Sequence, residues 1–177
     1  MRLREQAEEA ESTPLVGAWA AAVSVVALLA AGGIGLAFKQ PWLFPSLGPT
    51  LMVLAETPRQ PAAHPRNVLV GHVVGILAGY LALVVTGLTD HPPVIQEGLT
   101  GARVLAAVVS VALTAFVLQA VRAPHPPAGA TTLIVSLGIL TRATELAVMV
   151  GAVLVVTVVA VVANLLIGVR QEGVRPG

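Results

Sequence analysis

Cysteine is absent from the 177 residues. That excludes disulfides, thiolate catalysis and cysteine-based metal sites. Charge is scarce: Asp, Glu, Lys and Arg make up 11% of the chain, where a soluble domain carries about 25%. Net charge is +1, so nothing in the charge balance suggests nucleic-acid binding. Four apolar runs lack charge altogether: Pro14–Phe38, Val68–Leu88, Val104–Val121 and Leu146–Val169 contain no Asp, Glu, Lys or Arg. Each is near the roughly 20 residues needed to span a hydrocarbon core. With 56% hydrophobic residues and a mean hydropathy of +0.87, the chain is expected to be an all-α integral membrane protein. Residues 1–177 are expected to form a single transmembrane domain.

The start does not look like a cleaved signal peptide. Met1–Thr13 mixes Arg2 and Arg4 with four glutamates, and the apolar run behind it is longer than an h-region of about 7–15 residues. Residues 1–13 are therefore expected to be a polar tail.

Two further apolar segments, 42–56 and 124–140, are too short for ordinary spans. Both open with proline and glycine, "WLFPSLGPT" and "PHPPAGATT". Aligning Gly48 with Gly129 brings Pro45 onto Pro126 and Thr50 onto Thr131, and with one gap "VGHVVG" (70–75) onto "VGAVLV" (150–155). The order long span, short segment, long span also recurs. An internal duplication is expected, with repeat one over about 14–89 and repeat two over about 102–169.

Basic residues discriminate between topologies. If the short segments return to the side they entered from, the ten Lys and Arg divide five against five; if they cross, seven against three. The second division obeys the positive-inside rule with both termini cytoplasmic. A half-extended, half-helical segment of this length reaches about 30 Å, so a crossing is feasible. Three crossings per repeat make the repeats inverted, as in many transporters. The expectation is a multi-pass protein of the cell (plasma or inner) membrane, with four long helices and two short broken ones.

Proline holds the chain extended before each short helix. The first N–H groups of such a helix lack partners within it, and its N-terminus attracts anions. Irregular backbone at membrane depth survives only inside protein or along a wet cavity. Candidate substrate-binding residues are therefore Ser46, Gly48 and Thr50 in the first segment, and His125, Pro126, Pro127, Gly129, Thr131 and Thr132 in the second. The structural alternative is a pair of tight turns capped by Ser46 and the threonines. Arg66, Asn67, His72 and Arg122 are candidate pathway or gating residues. For Asn67 the alternative is an N-cap, and for Arg66 snorkelling to lipid phosphates. For His72, beside the Gly71, Gly75 and Gly79 stripe, it is an interhelix hydrogen bond. His91-Pro92-Pro93 lacks the Gly-x-Thr sequel and is expected to be a turn. Trp42, Phe38 and Phe44 are expected to mark an interfacial belt.

"HPPAGAT" at His125–Thr131 resembles the signature of the HPP family of integral membrane proteins. "PRN" at Pro65–Asn67, followed by Gly71-His72, is similar to that family's second recurrent stretch. The resemblance spans about Pro14 to Val169. The family is usually described with four transmembrane helices, against the six crossings expected from charge. Its plant members are associated with nitrite transport into chloroplasts, which implies a small-anion transporter and agrees with the backbone argument.

An enzyme or metal protein on His64, His72 and His125 is disfavoured, since their spacing matches no ligand motif, there is no cysteine, and almost no intramembrane carboxylate (Glu56, at the end of the first short helix, is the exception) is there to complete a site. No cofactor and no metal are expected. A non-transporting membrane scaffold or subunit is the remaining alternative. Expected partners are a small anion, the lipid bilayer and further copies of the chain, because one small bundle encloses little interior.

Overall fold

The computed structural model describes the backbone of residues 2–171 and the side chains of residues 14–171. Arg175 and the side chains of the tail 1–13 lie outside the described residues. The chain forms α1 (Arg2–Phe38), α2 (Leu47–Glu56), a 3-10 turn (Pro61–Ala63), α3 (Pro65–Thr86), α4 (Val94–Glu97), α5 (Gly101–Ala120), α6 (Ala128–Ser136) and α7 (Ala143–Leu166). Every element among the described residues is helical. Four helices are long and apolar enough to cross a membrane, over Pro14–Phe38, Pro65–Thr86, Gly101–Ala120 and Ala143–Leu166. These are the expected spans, moved by three residues at most. The backbone of the polar tail continues α1, which runs back through Pro14 to Arg2.

Helix ends follow local chemistry. The chain enters α3 through Pro65 at the first helical position, where a missing N–H costs nothing. It leaves α3 through Gly87 at φ +70, and leaves α7 through Gly168 at φ +79. The first long helix of each half stops at a basic residue in the left-handed conformation, Lys39 and Arg122, both at φ 52. The next residue then donates its N–H five positions back, Gln40 to the Gly35 carbonyl and Ala123 to the Leu118 carbonyl.

Contacts along the helices fix the depth of the short segments. Trp19, near the start of the apolar part of α1, donates its indole N–H to Asn164 Oδ1 near the end of α7 (3.0 Å). Asn164 Nδ2 donates to the carbonyl of Leu54 near the end of α2 (2.8 Å). The ends of α2 and α7 therefore share the face where α1 begins its apolar run, called here the terminal face. At the opposite face the chain turns back at the end of α1, where Trp42 lies with its backbone and Cβ against Gly35 of α1 and its ring against Gly151 of α7. Residues 40–46 then run inward without helix until α2 starts. The second segment runs the other way. It starts beside the 3-10 turn, where His125 bonds the Ala62 carbonyl, and ends where the Arg103 guanidinium meets the Ser136 carbonyl. Both short segments thus pass from one face to the other. Their helical parts, of 10 and 9 residues, cover about 14–15 Å at 1.5 Å per residue, and non-helical chain ending in a turn at 45–46 and at 126–127 precedes each.

Contacts between elements repeat in the two halves. α2 packs on α1 of its own half and on α7 of the other; α6 packs on α5 of its own half and on α3 of the other. The core lies where these meet. Leu47, Leu51 and Leu54 form the buried side of α2, facing an alanine-rich ridge of α1 (Ala20, Ala27, Ala31) and Met149, Val153 and Val156 of α7. Gly71, Gly75 and Gly79 are where α6 and the segment before it lie against α3. A Cβ on each would fall 2.8 Å from His125 Cβ, the Ala128 carbonyl and the Thr132 carbonyl respectively. The glycine stripe therefore serves packing within the chain. Phe44 is buried in the core and Trp42 is partly buried; of the expected belt only Phe38 is exposed. The cause is the inward path of residues 40–46, which carries the two rings away from the surface.

Candidate functional site

His72 lies about two turns into α3 and is 1% exposed. Each of its ring nitrogens meets a threonine from a different short helix. Nε2 is 3.0 Å from Thr50 Oγ1 of α2, and Nδ1 is 2.7 Å from Thr131 Oγ1 of α6. Thr50 and Thr131 are the positions that the Pro-x-x-Gly-x-Thr alignment pairs. His125, also 1% exposed, brings its Nε2 to 3.3 Å from His72 Nε2 and its Nδ1 to 2.8 Å from the Ala62 carbonyl. The imidazole centroids are 5.1 Å apart.

The partners dictate where the protons lie. A carbonyl only accepts, so His125 Nδ1 carries hydrogen and donates to Ala62, leaving Nε2 of the neutral ring as an acceptor. Thr50 already donates its hydroxyl to the Ser46 carbonyl (2.8 Å), so it accepts from His72. His72 Nε2–H is then shared between Thr50 Oγ1 and His125 Nε2, and Thr131 donates its hydroxyl to His72 Nδ1. The network closes without a net charge. A further proton on His125 Nε2 would place two N–H groups head to head at 3.3 Å, breaking that contact and freeing donors.

Around this pair the candidate residues divide. Ser46 is fully buried at the N-cap of α2, and its hydroxyl makes no hydrogen bond. Thr132 donates to the Ala128 carbonyl and touches Thr114 of α5 at 2.9 Å. Beside Thr114 a cavity of about 310 Å³ opens between α5 and the start of α6, lined by Gln119, His125, Pro126 and Gly129 among others. A Cβ on Gly129 would meet no atom within 4 Å, so a ligand could approach its backbone from that cavity. Gly48 is equally open but lies on the outer surface of the bundle. Pro127 is the N-cap of α6.

Three expectations change. First, the leading N–H groups of α6 are not free: Ala128, Gly129 and Ala130 donate to the carbonyls of His125, Pro126 and Pro127 in a tight turn. At α2, Leu47 donates to Phe44 and Thr50 to Ser46, and Pro49 has no N–H; the Gly48 N–H has no backbone acceptor among the described residues, but Gly48 lies on the outer surface. At the His72–His125 cluster itself, side-chain donors rather than helix starts remain for a ligand. Second, Asn67 is not an N-cap; His64 holds that place, and Asn67 donates to the Pro61 carbonyl (2.8 Å). Third, Arg66 and Arg122 are exposed and stand outside the cluster. Arg122 terminates α5, and Arg66 reaches only Asn67 Oδ1 (3.4 Å).

Arg103 escapes a sequence-level search. It sits two residues inside α5 and is 0% exposed. Its guanidinium donates to the carbonyls of Pro92 (2.7 Å), His91 (3.3 Å) and Ser136 (3.5 Å). The His91-Pro92-Pro93 stretch is the expected turn, and its carbonyls hold this arginine. The available signal was helical spacing: Arg103, Ala106, Ser110, Thr114 and Leu118 form the buried face of α5.

Two imidazoles flanked by hydroxyls, without carboxylate or thiolate, make a poor ligand set for a metal ion. The arrangement suits hydrogen bonding to a small polar solute and proton exchange on a histidine. No curated protein and no solved structure matches the chain. The family model described as "HPP, transmembrane region" matches residues 10–173. With that match over nearly its whole length, and with "HPPAGAT" forming the turn that delivers His125 and Thr131 to the buried cluster, the chain belongs to the HPP family of integral membrane proteins.

Proposed function

We propose that this protein is a transporter or channel for a small inorganic anion of the nitrite and nitrate kind, bound at the His72–His125 cluster and coupled to a proton. The observation that carries the proposal is the joining of both broken segments through one buried histidine pair. Isolated ionisable groups at membrane depth are expensive and characteristically functional. Because the long apolar runs contain no carboxylate, any charge this cluster gains is positive and selects an anion. The open flank of Gly129 lets the anion approach His125 from the α5–α6 cavity, and the buried, unpartnered Ser46 hydroxyl is a further donor. His125 Nε2 is the atom that takes the proton, and His72 Nε2–H is the donor it releases.

The repeated contact scheme and the opposite directions of the two halves support an inverted duplication. Among the residues whose side chains are described, Arg59, Arg66, Arg122 and Arg170 lie at or just beyond helix ends at the terminal face, against Lys39, Arg103 and Arg142 at the other, which supports cytoplasmic termini. Pro41, Leu43 and Pro45, in the non-helical stretch before α2, are exposed at or near membrane depth, where irregular backbone requires protein cover; this supports a homo-oligomer.

The test is nitrite and nitrate uptake into proteoliposomes, with and without an inward proton gradient, for wild type and His125→Ala. Saturable uptake, raised by the gradient and lost in the variant, is expected. The scaffold alternative draws on the turn before α6, whose N–H groups are satisfied without a ligand. Absence of flux from folded protein would decide for it.

A further inference from the structure

Arg103 lies at the opposite face from the His125 cavity, on the same inward side of α5. Ala106, Ser110 and Thr114 lie between, over about 16 Å of helix. Its setting is electrostatically incomplete. The guanidinium is fully buried, and no acidic side chain among the described residues lies within ion-pair distance of it. It also occupies the first turn of α5, where the helix end is itself positive. Only carbonyl oxygens oppose this charge, those of His91, Pro92 and Ser136. Taking an unpaired ion out of water is heavily unfavourable, and neutral carbonyls compensate it only in part. Two polar atoms here are sealed from solvent without a partner, Arg103 Nε and Ser136 Oγ. An arginine serving only to tie the 88–100 loop to α6 explains the three carbonyl contacts but leaves these two donors unexplained.

We propose that Arg103 and Ser136 form a second anion station, at the opposite-face end of the α5–α6 seam. It takes the same class of ligand, a small oxyanion, through Nε–H and the Ser136 hydroxyl. This inference rests on the anion-transport proposal. The anion passes between a station at His125, near the terminal face, and one at Arg103, with Thr114 and Ser110 lining the helix face between them.

The test compares nitrite uptake kinetics and thermal stability for wild type, Ser136→Ala and Arg103→Lys. Because the Ser136 hydroxyl bonds nothing within the chain, Ser136→Ala should leave the melting temperature unchanged or raise it. It should nevertheless raise KM about tenfold, as expected when a hydrogen bond to a charged ligand is lost. Arg103→Lys keeps the charge but loses Nε and the planar fork, so KM should rise further. Saturable wild-type uptake with KM within twofold in folded Ser136→Ala would overturn the second station and leave the His72–His125 proposal standing. Absence of wild-type uptake would overturn both.

Discussion

His72 is held from both sides by hydroxyls that come from opposite halves of the chain. Thr50 accepts from its Nε2–H and Thr131 donates to its Nδ1, so neither bond can be lost without reorienting the ring on which the other depends. Thr50→Val and Thr131→Val should each lower stability by about 0.6–1 kcal/mol. The double variant should depart from their sum by about 0.5 kcal/mol or more, measured by thermal unfolding in detergent. Strict additivity would mean that the two contacts are independent. His125 stood out in the sequence because a histidine between prolines and an apolar run has few structural uses there. The central place of His72 did not, since its threonine partners lie 22 and 59 residues away and only tertiary contact joins them. Arg103 was hidden for another reason: a basic residue near the end of an apolar run has the sequence appearance of an interfacial charge, and nothing local marks its side chain as buried.

At the scale of elements, proline and glycine divide the work. Prolines stop each short segment from being helical throughout, which is why both were visible as broken spans. Glycines on α3 let α6 approach to backbone contact. Gly75→Ala would push a methyl to 2.8 Å from the Ala128 carbonyl, and should cost about 1–3 kcal/mol. Gly33→Ala in α1 meets open space, so it should be neutral or gain about 0.5–1 kcal/mol of helix propensity. Melting temperatures of the two variants check the contrast, and equal effects would contradict the α3–α6 packing. The four spans were legible because uninterrupted apolar runs of this length have few other fates. The hydrogen-bonding at the start of α6 was not, because it depends on turn geometry: bonds three residues back consume the N–H groups that an abrupt start would have left free. Trp42 and Phe44 likewise depend on the direction the chain takes after Lys39, which the sequence leaves open.

At the scale of the whole molecule, the function proposed here depends on both short segments crossing the bundle. If they returned to the side of entry, the starts of α2 and α6 would not run in opposite directions from one buried histidine pair. The absence of cysteine makes the topology directly measurable with single cysteines and a membrane-impermeant thiol reagent. Arg59→Cys, in the loop after α2, and Thr89→Cys, in the loop after α3, are the informative positions, with a cysteine at Arg170 after α7 as the reference. Crossing segments predict that Arg59→Cys is labelled from the same side as Arg170→Cys, and Thr89→Cys from the other. The reverse result, with Thr89→Cys sharing the side of Arg170→Cys and Arg59→Cys opposite, would contradict the account.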